Sequence, residues 1–96
     1  MIRHIVMVKL KPETKPASVE KLKSMLEALP PLISEIKFYE VGVNVIESPA
    51  ASDIVLVSEF NNKEELVAYR EHPEHVKVLD YLKEVKESST VVDYEF

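Results

Sequence analysis

Residues 69 to 75 read YREHPEH and place Tyr69, His72 and His75 within two helical turns, while the third histidine, His4, stands near the N-terminus. An imidazole gives or takes a proton near neutral pH. A carboxylate such as Asp93 can fix its tautomer, and a tyrosine hydroxyl can donate to a developing enolate or carbonyl oxygen. This is acid–base chemistry that requires no cofactor. In this reading His75 is the base, Tyr69 polarises a carbonyl, and Asp93 or His4 orients His75. The plainer reading makes His4 a hydrogen-bonded core residue and Tyr69 a packing residue. His72 directly precedes Pro73, a position that favours extended backbone, so it ends a helix. His72 and His75 also lie near Glu71, Glu74 and Asp80. However, Pro73 interrupts the helix that would carry both histidines, and no H-E-x-x-H is present, so no metal site is expected.

These residues need a scaffold. IRHIVMVKL reads as a strand with His4, Val6, Val8 and Leu10 on one side and Ile5 and Met7 on the other. Pro16 suits the first position of a helix. Val19, Leu22, Leu26, Leu29 and Ile33 then recur at steps of three and four, and Pro30-Pro31 ends the pattern. A strand over about 36–46 contains the only glycine, Gly42, which marks a bulge or a close backbone contact. After the turn ESPAAS comes a strand over 53–60. Asn62 with Glu65 resembles an N-cap pair opening a helix that Pro73 stops. Pro73 begins a second helix reaching about Ser88, and TVVDYEF closes the chain as a strand.

The order β-α-β-β-α-β, with the second helix broken, is the ferredoxin-like split β-α-β pattern: an α+β fold with a four-stranded antiparallel sheet. Its first and last strands are neighbours, which brings His4 toward Asp93 beneath the helix carrying Tyr69 and His75. The remaining cavity wall is expected from Val6, Val8, Leu22, Leu26, Val55 and Leu79, and suits an apolar ligand.

A chain of 96 residues fits one domain, 1–96, and 46% of it is hydrophobic. So small a domain has a thin core. Ile5 and Met7 would stay uncovered on the far face of the sheet, so a homodimer through sheet-to-sheet packing is expected. Twelve basic residues against 17 acidic ones give a net charge of −5. That argues against nucleic acid, whose phosphates need clustered basic charge, and against an anionic membrane surface. There is no cysteine, so thiolate chemistry is excluded. The N-terminal apolar run is broken by Lys9, and no run approaches a membrane span. A cytoplasmic protein is expected.

The segments HIVMVKLK, DIVLVSEF, YREHPEH and VVDYE together resemble the stress-responsive dimeric α/β-barrel (Dabb) family over essentially the whole chain. The resemblance implies a ferredoxin-like subunit and a homodimer whose sheets pack into a barrel. Most members have no assigned activity. A plant branch, the olivetolic acid cyclases, closes a polyketide by aldol condensation with a tyrosine and a histidine that match Tyr69 and His75. Its strand histidine matches His4, and its C-terminal Asp-Tyr pair matches Asp93-Tyr94. Two pocket positions depart: Asp53 stands where that branch has a histidine, and Leu26 or a neighbour where it has a tyrosine. Plant relatives hold a magnesium ion on main-chain carbonyls at the end of the first helix, which by position would be near Pro30, Ile33 and Ile36. Side-chain identity hardly constrains carbonyl ligands, so the sequence leaves this open and no cofactor is expected. The leading expectation is a stress-response barrel protein with an apolar small-molecule pocket. The alternatives are a cofactor-independent polyketide-type cyclase or isomerase, and a structural dimer with a filled interior.

Overall fold

The β-branched N-terminal run forms β1 (Ile2–Leu10), and its alternation sorts the two faces of the sheet. In the computed structural model, which describes all residues from Met1 to Phe96, Ile2, His4, Val8 and Leu10 are buried while Met7 is exposed. A 3-10 turn (Pro12–Thr14) leads to α1 (Ala17–Glu27). Then follow β2 (Phe38–Val43), β3 (Ile54–Phe60), α2 (Lys63–Glu71), α3 (Pro73–Val85) and β4 (Lys86–Glu95). The sheet order is β2-β3-β1-β4, with every neighbouring pair antiparallel. This is the α+β, ferredoxin-like architecture. All three helices contribute to one core with the His4-bearing face of the sheet, where Phe60, Leu10 and Tyr69 are fully buried.

The helix boundaries differ from the sequence pattern in instructive ways. α1 stops at Glu27, although Leu29 and Ile33 are buried as the spacing predicts. Leu29 precedes a proline and Pro31 lacks an N–H, so the chain continues as turns rather than helix. In those turns the Leu29 carbonyl accepts from Leu32 and Ile33. Pro16 is the N-cap of α1 rather than its first residue. Asn62 caps α2 by accepting the Glu65 N–H at 2.8 Å, but the Glu65 carboxylate accepts from the Asn61 N–H, one residue earlier than a reciprocal box would place it. Pro73 ends α2 and begins α3. β4 starts at Lys86, directly after α3, where Lys86 pairs with Leu10 across a register shift in β1. Gly42 shows the close contact without a bulge: a Cβ there would stand 3.0 Å from Val55 Cγ1, while the β2–β3 register runs unbroken. No helix is long and apolar enough to cross a membrane.

Candidate functional site

Strand register builds the first half of the site. His4 lies opposite Asp93 on β4 and opposite Ser58 on β3. Residues paired directly across a ladder share a face, so the imidazole and the carboxylate meet. The His4 Nδ1–H donates to Asp93 Oδ1, and Arg70 Nη2 donates to Asp93 Oδ2 at 2.6 Å. Asp93 therefore ties β1, β4 and the end of α2 together. A carboxylate only accepts, so Nδ1 of His4 carries a proton.

The helix break builds the second half. His72 is extended and serves as C-cap of α2 and N-cap of α3, with its Nδ1 accepting the Glu74 N–H at 3.1 Å. In an unbroken helix the Glu74 N–H would bond the Arg70 carbonyl. Diverted to His72, it leaves that carbonyl free, and the His75 Nδ1–H donates to it at 3.1 Å. His75 is thus an Nδ1–H tautomer with a bare Nε2. Burial pushes the His75 pKa below its ordinary value of 6.5. The Arg70 carbonyl opposes that shift, and the neighbouring His4 and Arg70 reinforce it. His75 is neutral at pH 7.

A cavity of about 330 Å³ lies between the sheet and α1 and α3. Its walls include Val6, Val8, Leu26 and Leu79, as the sequence suggested, and His4, His75 and Arg70 meet at one end. No buried side-chain nitrogen or oxygen lacks a partner. Neither Nε2 has a hydrogen-bond partner, so both remain open to the cavity rather than sealed in the core.

Three placements differ from expectation. Val55 pairs with Met7 and Gly42 and therefore belongs to the opposite face of the sheet. Ile54 and Leu56, the partners of Val8 and Val6, line the cavity in its place. Tyr69 is fully buried and does not line the cavity. Its ring packs 4.2 Å from His75 and 6.1 Å from His4, and its hydroxyl bonds the Tyr39 hydroxyl at 2.7 Å. Burial pushes its pKa up to about 12, and Tyr39 is also raised, chiefly by burial. Asp93 orients His4, whereas the residue holding His75 is Arg70, through its backbone. Asp53 lies outside this cavity and accepts from the Leu10 N–H at 2.8 Å and from Lys15 Nζ at 2.9 Å. Its partial burial raises the carboxyl pKa, but these donors outweigh burial and hold it below the usual range.

Sequence reasoning missed Arg70 and Tyr39. Arg70 follows Tyr69 in the motif itself, but a charged side chain on an amphipathic helix carries no signal of its own that it borders a cavity. Tyr39 carried no local signal, since its partner is 30 residues away. No cluster of three or more histidine or acidic side chains is arranged to hold a metal. Of the main-chain carbonyls around the turn after α1, that of Ile33 accepts from the Ile36 N–H, while those of Pro30 and Ile36 accept from no backbone donor.

Fold and site together define a ferredoxin-like α+β domain with a histidine-tipped apolar cavity beneath its helices. The chain belongs to the stress responsive A/B barrel domain (Dabb) family, whose model matches residues 2–96. It is 28% identical over 98% of its length to an Arabidopsis thaliana stress-response A/B barrel domain-containing protein, DABB1, but covers 46% of that protein. The chain thus spans about half the length of that curated relative. An uncharacterised Streptomyces coelicolor protein is 29% identical, with both chains fully covered. A solved Bacteroides fragilis structure, described as a dimeric protein of unknown function with a ferredoxin-like fold, is 42% identical. It superposes with a TM-score of 0.88 over 99% of this chain and 95% of that one.

Proposed function

We propose that this protein binds a small, largely apolar molecule in the cavity beneath α1 and α3, with its polar group at the His4–His75 end. The observation that carries this reading is the open Nε2 of two buried imidazoles at the tip of an apolar cavity. The volume lies near the lower end of the ~300–1,000 Å³ typical of small-molecule sites. The test is a titration with apolar probes such as 1-octanol, followed through the His4 and His75 ring signals by NMR. Saturable shifts that Leu26→Trp abolishes support the reading. Unmoved histidine signals up to the solubility limit of the probes reject it.

The same geometry favours acid–base turnover as a second reading. A neutral His75 of fixed tautomer can take a proton from an acidic C–H of a bound carbonyl compound, as a cofactor-independent cyclase or isomerase acting on a polyketide-like substrate would require. Tyr69, packed against the His75 ring, then positions it, and Asp93 holds His4. His75→Ala should abolish turnover of a poly-β-keto substrate in a folded protein; unchanged turnover rejects His75 as the base.

We also propose a homodimer through the outer face of the sheet. Met7, Phe38 and Val92 are 44%, 43% and 58% exposed on that face. The Bacteroides fragilis relative is described as dimeric.

A further inference from the structure

We propose that the cavity selects anions: its ligand is an amphipathic monocarboxylate whose head group is bound by Arg70 and whose hydrocarbon fills the apolar remainder. This rests on the small-molecule reading above and adds the chemical class.

The first support is a charge census. Acidic residues outnumber basic ones 17 to 12 in the chain. Yet the formally charged residues lining the cavity are Arg70 and Lys86, both cationic, and no aspartate or glutamate lines it. The nearest carboxylate, Asp93, is occupied on both oxygens by His4 and Arg70. It therefore braces the guanidinium rather than presenting free negative charge to a ligand.

The second support is spare donor capacity. A guanidinium carries five N–H groups in a planar fork suited to carboxylates. Arg70 makes one side-chain hydrogen bond, to Asp93, and its side chain is 47% exposed. The remaining donors are available where the apolar wall ends. Lys86 is a weaker candidate, since it sits at the other end of β4, opposite Leu10, whereas Asp93 is opposite His4. A braced and oriented guanidinium needs less reorganisation on binding than a free lysine.

The test compares octanoate, 1-octanol and octylammonium by calorimetry against the wild-type protein and the Arg70→Gln, Arg70→Lys and Lys86→Gln variants. Octanoate should bind at least about tenfold more tightly than 1-octanol, as one charge-assisted hydrogen bond provides, and octylammonium most weakly. Arg70→Gln should erase the advantage of octanoate over 1-octanol, the two probes being compared within the same variant, and Arg70→Lys should restore part of it. Equal binding of all three probes would overturn anion selection while leaving the small-molecule reading intact. Loss of the advantage in Lys86→Gln but not in Arg70→Gln would overturn the assignment to Arg70. Binding of none of the three would overturn both. Thermal melting of each variant checks that the fold is retained.

Discussion

Tyr69 and Tyr39 share a hydrogen bond between their hydroxyls, 2.7 Å long, while the Tyr69 ring packs 4.2 Å from that of His75. The phenol in the histidine motif therefore completes a core contact between α2 and β2. Tyr69→Phe leaves the Tyr39 hydroxyl without its partner and should lower stability by about 1–2 kcal/mol. The Tyr69→Phe, Tyr39→Phe double variant should recover part of that loss, because neither hydroxyl is then stranded. Urea denaturation of the two single variants and the double measures the coupling. Strictly additive losses would show that the contact carries no energy of its own.

The buried, neutral state of His75 predicts how stability depends on pH. Its folded pKa lies below the ordinary 6.5, so between the two values the unfolded chain binds more protons. The contribution of His75 is fully present above about pH 6.5 and declines as the pH falls through the folded pKa. An NMR titration should place the His75 midpoint below 6.5. A midpoint at or above that value removes the argument, and His75→Leu should flatten the corresponding part of the stability profile.

Asp93 holds two donors on two different elements. Asp93→Ala should destabilise the protein by about 1–3 kcal/mol, the range for leaving buried or charged donors unpaired. It should also release the His4 tautomer. Nitrogen-15 spectra should show the Nδ1–H form of His4 in the wild type and a mixture in the variant. An unchanged Nδ1–H population in the variant would mean that Asp93 does not set it.

The outer face makes a separate prediction. Val92→Lys, with the wild-type residue 58% exposed, introduces a charge that no core contact opposes. The wild type should scatter light as a dimer of the 11.0 kDa chain at micromolar concentration, and Val92→Lys as a monomer with unchanged secondary structure. A wild-type mass near 11 kDa ends the dimer proposal.

Much of the fold was readable because its signals are local. Strand alternation placed His4, Val6 and Val8 on the helix-covered face, and Pro73 marked the helix break. The closing strand placed Asp93 beside His4 once the topology was recognised. Val55 was misplaced because β3 is apolar on both faces, so residue type says nothing about its side, and only pairing with β1 fixes the parity. The α1 spacing continued to Ile33 because turns can bury the same residues a helix would. The Tyr39–Tyr69 contact and the Arg70 anchor on Asp93 depend on how α2 docks on the sheet, for which the sequence has no periodic signature.

Pro73 has an effect that reaches beyond the backbone. By displacing the Glu74 amide onto His72, the break leaves the Arg70 carbonyl to the imidazole of His75. The protonation pattern of that ring is therefore set by the main chain and not by another side chain. Substituting residue 70 can change the charge at the mouth of the cavity without disturbing which nitrogen of His75 faces inward. Over evolutionary time residue 70 is free to vary while the His75 tautomer stays fixed.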